Sequence, residues 1–486
     1  MLFNSPEFVI FFTFIIAAII VFKNKKFQHL LILFASYLFY YYSGTFYLSL
    51  LVASTLINFW FGKMIHNTSS KNKKIIFSIS MAFNLGLLGF FKYVNFFIEE
   101  VNSGFASVGI QQIQFLEIAL PVGISFYTFH SMGYLIDIYR KQITPSNSLL
   151  DFSIYVAFFP QLVAGPILRA KHFLPQLREK INNFDGLKQI IVTNPNLKYG
   201  ISLMAIGFLK KMFFADNIAP LVNQVFQNPT GFDSFSIIFA TLSFGIQIYG
   251  DFSGYSDIAI GAALILGFVI PKNFNKPFFA TSPTDFWRRW HISLSTWVRD
   301  YLYLPMVFKR RKSLSYVFVS LLVTFFLLGL WHGAGWSFMI FGLLHGLYVG
   351  IDTILRSKYP SLVNQRFFST KIGKLSSILI TQYLIFFAFI AFRVENFDHM
   401  SYAMMKFIFI DFQTSEFFNL ILQNKVPVIL VFLFICLHIV SYFKKSYLEI
   451  ISALKIRYWV IFLIIIIGSI FYFYDANPDD FIYFKF

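Results

Sequence analysis

Cysteine is nearly absent from this chain. Its 486 residues hold one, Cys436, inside an apolar run. That excludes a disulfide framework and speaks against a cysteine nucleophile or a thiolate zinc cluster. Charge is scarce too: 13% of residues are Asp, Glu, Lys or Arg, where soluble domains carry about 25%. With 57% hydrophobic and 21% aromatic residues, the chain is a polytopic membrane protein rather than a soluble domain. Acidic residues are the scarcer sign, 23 against 40 basic, for a net charge of +17. In a soluble protein that excess would suggest nucleic acid. Here the basic residues sit in short loops between apolar runs, the pattern of cytoplasmic loops facing anionic lipid, so lipid and not nucleic acid is the expected partner. Walker loops, His-Glu-x-x-His spacings and glycosidase-type carboxylate pairs are also missing, and no metal is expected. No transporter-type internal repeat is visible.

What is present is a series of continuous apolar runs. Only helices or a closed barrel can pair every backbone group in lipid, and runs that do not alternate select helices. The expectation is an all-α protein of about 11–13 transmembrane or re-entrant helices in one transmembrane domain, residues 1–486. Lys23, Lys25 and Lys26 after the first run place that exit in the cytoplasm. The next two runs form a hairpin with its tip at Ser43 and Gly44, and the penultimate exit carries Lys444 and Lys445. The chain closes on an acidic tail with Asp475, Asp479 and Asp480.

Several places break this regularity. The stretch 151–166 has Pro160, Gly165 and Pro166 inside apolar sequence and basic residues on both sides, so it is expected to dip in and return. Residues 216–233 read as an outer loop without Lys or Arg. Residues 250–257, with Asp251, Tyr255 and Asp257, are expected to interrupt a helix, leaving one half re-entrant; these side chains either line a polar passage or satisfy one another at the break. The sequence Thr284-Asp-Phe-Trp-Arg-Arg-Trp-His-Ile-Ser293 suits an interfacial amphipathic helix. Its Arg288 and Arg289 would serve as lipid anchors or as ligands of an anionic donor, and His291 as an interfacial or a functional histidine.

The most telling stretch is Leu330-Trp-His-Gly-Ala-Gly-Trp336, a histidine at a Gly/Ala-rich break between two membrane-length runs. An imidazole there is costly unless it has a partner or a task. His332 can serve as a general base, since its natural pKa lies near the working pH, and Trp331 supplies rigid, half-polar wall. His130 and His345 lie in apolar runs without a supporting motif and read as structural.

Five blocks in order resemble the membrane-bound O-acyltransferase family. They are Leu120-Pro-Val-Gly-Ile-Ser-Phe-Tyr-Thr-Phe129, Phe159-Pro-Gln-Leu-Val-Ala-Gly-Pro166, Asp251-Phe-Ser-Gly-Tyr-Ser-Asp-Ile-Ala-Ile-Gly261, Asp285-Phe-Trp-Arg-Arg-Trp-His-Ile-Ser-Leu-Ser295 and Leu330-Trp-His-Gly333. The ends, Met1-Leu-Phe-Asn4 and Phe481-Ile-Tyr-Phe484, resemble the same branch, that of the alginate O-acetyltransferase membrane subunit and the peptidoglycan O-acetyltransferases. Met306-Val-Phe-Lys-Arg-Arg311 departs from the Gly-Gly-Asn turn usual there.

The resemblance implies helices ringed around a tunnel in a bacterial cytoplasmic membrane. It implies His332 as catalytic residue with His291 as the second candidate, and Asp251, Tyr255, Asp257, Arg288, Arg289 and Trp331 as substrate contacts. The implied donor is acetyl-CoA with no bound cofactor. The implied acceptor is an exported cell-envelope glycan, and the implied partner an extracytoplasmic SGNH-type acetyltransferase. D-alanyl transfer to teichoic acid and a non-enzymatic glycan exporter or flippase are the alternative readings.

Overall fold

A computed structural model describes residues 1, 3–42, 44–116, 119–181, 184–363, 366–443, 447–473 and 481–482. The expectations placed on Ser43, Lys444, Lys445 and the acidic tail, and on Leu2, Tyr483 and Phe484, lie outside that set. The protein is 79% helical, as expected for an all-α chain. Among the described residues, seven helices are long and apolar enough to cross a membrane: Thr45–Asn67, Lys71–Ser107, Ser234–Ile265, Leu314–His332, Trp336–Lys358, Lys371–Arg393 and Lys425–Phe443. Pro6–Val21 and Ile456–Tyr472 are shorter apolar helices. The chain is a multi-pass membrane protein, and large apolar side chains exposed along these helices, such as Ile79, Leu379 and Ile464, are the surface a bilayer would cover. Cys436 is exposed on one of them.

The chain forms two compact units, residues 1–204 with 255–271, and residues 205–254 with 272–486. In the first, Ser5 caps Pro6–Val21 and Pro6 opens it, the usual helix-start chemistry. Its core is phenylalanine: Phe8 lies 4.7 Å from Phe3 and stacks on Phe12, and Phe159 meets Phe11 edge-on at 5.4 Å. The 151–166 stretch is broken, as expected, into Leu149–Ala157 and Phe159–Leu162. Gly123 makes this packing possible. Its φ of +76° is left-handed, and a Cβ there would stand 2.6 Å from the Leu162 carbonyl oxygen. His130 satisfies the irregular backbone: its Nε2 accepts from the Leu168 amide at 3.0 Å, and the Tyr155 hydroxyl donates to the carbonyls of His130 and Leu168. A small hairpin, Arg178–Ile181 with Phe184–Leu187, was not foreseen.

Three expectations are corrected. Residues 250–257 do not interrupt a helix; Ser234–Ile265 runs through them for 32 residues. Their polarity is accommodated from outside. Cβ atoms at Gly250 and Gly254 would stand 3.1 Å from the Lys210 carbonyl and 2.6 Å from the Gly207 carbonyl, so the helix rides directly on the segment 207–215, and Asp251 finds an ammonium there. Residues 216–233 are not an open loop, because Asp216–Gln227 is helical. Its apolar residues Ile218, Leu221, Val222 and Val225 are buried, and packing that face outweighs the short polar sequence between. Thr284 to Ser293 is not one amphipathic helix but two short helices, Pro283–Trp287 and Ile292–Val298. His291 sits between them at φ +42°, and Asn275 and Ile292 tie the turn to the preceding loop through the Arg289 and Asn273 carbonyls. Burial of Phe286, Trp287 and Trp290 from consecutive sides of the chain is incompatible with a single exposed face.

Helices Leu314–His332 and Trp336–Lys358 pack backbone to backbone. A Cβ at Gly329 would stand 2.2 Å from the Phe338 carbonyl oxygen, one at Gly342 2.3 Å from that of Phe325, and one at Gly346 3.1 Å from the Leu322 Cα. Small residues every fourth position are how membrane helices approach closely. Gly342→Ala is therefore expected to lower stability by about 1–3 kcal/mol, read as a fall in melting temperature in detergent. Gly86→Ala, with nothing within 4 Å of the added carbon, is expected to be silent. Equal melting temperatures for the two variants would refute the packing account.

Candidate active site

His332 is the last residue of its helix, and the Gly333–Gly335 break follows at once. The break is required by a ring: a Cβ at Gly333 would fall 2.1 Å from the edge of Phe338. The imidazole is 5% exposed. Its ring lies 4.9 Å from Trp331, 5.2 Å from Phe392 and 5.7 Å from Phe341, centroid to centroid. A second row holds that wall. Phe341 meets His345 edge-on at 4.5 Å, and His345 Nδ1 accepts from Trp287 Nε1 at 3.2 Å. His345 thus joins Trp287 to Phe341, a neighbour of His332.

Trp331 faces both ways. Its centroid is 6.3 Å from that of His291, whose ring in turn meets Phe252 edge-on at 4.6 Å. The structure thereby brings together His291, Trp331 and His332, predicted separately from two distant motifs. His291 is 1% exposed, and burial pushes its pKa down to about 3. It is neutral at physiological pH and offers a hydrogen bond rather than a charge.

The other predicted contacts are placed differently. Arg288 is exposed, and Arg289, half-buried, pairs with Asp285 at 2.9 Å, so neither shares the setting of His291. Asp251 is buried with its carboxylate engaged: Oδ1 lies 2.9 Å from Lys211 Nζ, and Oδ2 accepts from the Ile482 amide at 2.8 Å. Tyr255 packs on Phe3 at 4.5 Å and Asp257 is half-buried, both in the first compact unit. Lys211 and the Trp287–His345 pair went unforeseen. A lysine inside an apolar run was the available signal for the first; the second joins residues 58 apart and leaves no local trace. Among the described residues, no group of three His, Cys, Asp or Glu is arranged to hold a metal.

A membrane protein with a buried, aromatic-walled pair of histidines has the equipment for proton transfer away from bulk water. Comparison with known proteins gives the class its name. The membrane-bound O-acyltransferase family model matches residues 141–390, just over half of the chain and a segment that includes both histidines. The probable alginate O-acetylase AlgI of Pseudomonas aeruginosa is 36% identical over 403 residues, covering 82% of this chain and 72% of that protein. The peptidoglycan O-acetyltransferase of Helicobacter pylori is 34% identical over 430 residues, covering 82% and 78%. A more distant relative, the teichoic acid D-alanyltransferase of Streptococcus thermophilus, is 30% identical over 250 residues, 49% of this chain and 58% of its own length. The chain belongs to the membrane-bound O-acyltransferase family and is an acyltransferase.

Because burial keeps His291 neutral, His291→Asn is expected to retain more acyl transfer than His291→Ala. Any acidic limb in the pH–rate profile between about pH 5 and 8 is expected to persist in both variants. A limb that vanishes with His291 would contradict this placement.

Proposed function

We propose that this acyltransferase moves an acetyl group from cytoplasmic acetyl-CoA across the bacterial inner membrane for O-acetylation of an exported cell-envelope polysaccharide. The observation that carries the reading is the meeting of His291, Trp331 and His332 inside the segment that matches the family. The names of the relatives, alginate O-acetylase and peptidoglycan O-acetyltransferase, supply the acyl group and the acceptor class.

In this reading His332 is the general base. It takes the proton of an acceptor hydroxyl as that oxygen attacks the thioester carbonyl. The C–S bond breaks, and the imidazolium returns the proton to the departing thiolate, so coenzyme A leaves as the thiol. The surrounding rings exclude water from the reacting groups. His291, neutral and 6.3 Å from the shared indole, donates or accepts a hydrogen bond at the donor. Arg288 and Arg289 suit the phosphates of coenzyme A, Arg288 by its exposure. Tyr255 and Asp257 are assigned to substrate contact on the sequence pattern and the family resemblance alone. The acceptor is either the glycan itself or an extracytoplasmic SGNH-type transferase that completes delivery. The whole chain, residues 1–486, serves as one transmembrane domain.

The D-alanyl alternative has its own support in the S. thermophilus relative, but the match covers half of this chain, where the acetylating relatives cover four-fifths. Ester-linked acetate released from the cell envelope by mild base distinguishes the two. A deletion strain is expected to lose it, the native protein to restore it, and His332→Ala at matched abundance to leave it below about 1% of native. Restoration by His332→Ala would remove the histidine from catalysis. Unchanged acetate with altered D-alanine ester in the deletion strain would transfer the function to the second reading.

A further inference from the structure

Helix Asn194–Phe208 continues into a π-helical turn, Leu209–Ala215, before Asp216–Gln227 begins. Such turns insert one residue into a helix and re-aim the side chains they carry; they concentrate at functional sites. This one carries Lys211. Its side chain is 4% exposed, and its Nζ stands 2.7 Å from Asp216 Oδ1 and 2.9 Å from Asp251 Oδ1. An ammonium and two carboxylates buried this deeply are costly to assemble. Lys211 sits on a segment that already touches its partner's helix, since a Cβ at Gly254 would stand 3.0 Å from the Lys211 backbone nitrogen. The other oxygen of Asp251 accepts from the Ile482 amide. The neighbouring residue, Phe252, holds the ring of His291 edge-on at 4.6 Å, with Phe274 at 5.1 Å and Phe481 at 5.9 Å against it. Three segments distant in sequence, the π-turn, residues 481–482 and the His291 turn, therefore converge on residues 251 and 252.

We propose that Lys211 is a positioning residue: its ammonium fixes Asp251, and through that carboxylate it fixes both Phe252 beneath His291 and the backbone at Ile482. This rests on the acyltransferase reading, in which His291 serves the donor. Hydropathy and the family blocks did not single out this lysine, and it does not reach the histidine itself. It acts on His291 through Asp251 and Phe252. The π-turn explains how a lysine in an apolar run comes to aim its ammonium between two carboxylates. Asp251 is accordingly a holder of the site rather than a contact of the substrate.

The test compares native protein, Lys211→Gln and Lys211→Arg, purified in lipid nanodiscs, each shown by size exclusion to be monodisperse. Lys211→Gln is expected to lower kcat for acetyl transfer by about 10- to 100-fold, the range for misplaced catalytic groups. KM for acetyl-CoA is expected to stay within about twofold, and Lys211→Arg to recover most of kcat. Hydrogen exchange supplies a readout independent of activity. In Lys211→Gln, amides of the peptides around His291 and around Phe481–Ile482 are expected to exchange faster, while the hairpin Leu314–Lys358 is unchanged. Native kcat in a monodisperse Lys211→Gln protein, or unchanged exchange at both peptides, would overturn the proposal. So would a uniform rise in exchange across the chain, which marks a fold-wide role. If the native protein transfers no acetyl group, the acetyl-CoA assignment fails, and the exchange comparison still decides the clamp. If Lys211→Gln is not monodisperse, the variant Lys211→Gln/Asp251→Asn, which removes the ammonium together with one of its two carboxylates, takes its place with the same expectations.

Discussion

The contact on which the rest depends is the crossing of helices Leu314–His332 and Trp336–Lys358. The backbones meet at Gly329 and Gly342, where no side chain could be inserted without displacing a carbonyl group. That proximity lets the chain reverse in three small residues, and it fixes His332 at the end of one helix while Phe338 and Phe341 come from the start of the next. In lipid, van der Waals packing of this kind takes over much of the work that hydrophobic burial does in water. The position of the histidine is thus a consequence of backbone packing a turn away, and the rings around it are carried by the same two helices and by Phe392.

The second constraint is the satisfaction of polar groups where water is excluded. Several deeply placed polar residues have a definite employment. His130 caps broken backbone, and His345 accepts from an indole. Gln28 donates to the carbonyls of Ile19, Phe22 and Ile190 and accepts from the Ile190 amide. Lys211 neutralises acid. His332 lies among the rings of Trp331, Phe341 and Phe392, and the contacts of Phe341 with His345 hold part of that wall in place.

Much of this was legible in the sequence, because lipid imposes a blunt rule. Continuous apolar runs had to be helices, and the Gly/Ala break after His332 had to be a turn between two of them. The residues grouped by motif, His291 from one block and Trp331 with His332 from another, do meet. What misled was polarity taken for a break. Residues 250–257 look like an interruption only if Asp251 must find its own neutraliser; a lysine some forty residues earlier supplies it, and the glycines turn from helix breakers into packing surfaces. The aromatic–basic block 284–293 misled in a similar way. Periodicity counts side chains on one face, whereas Phe286, Trp287, Trp290 and His291 are buried on several sides by partners remote in sequence. Long-range pairings of this type, Trp287 with His345 or Asp251 with Ile482, have no local signature.

The most direct measurement of the central claim is the rate of coenzyme A thiol release from acetyl-CoA by the purified protein in nanodiscs with a soluble glycan acceptor, native against His332→Gln. Glutamine keeps hydrogen-bonding capacity and similar bulk but cannot take the proton. The account predicts acceptor-dependent release that falls by at least about 100-fold in the variant, with the melting temperature unchanged. Release at a rate within a few-fold of native would contradict it, and the aromatic chamber around His332 would then be a structural element of a reaction conducted elsewhere in the chain.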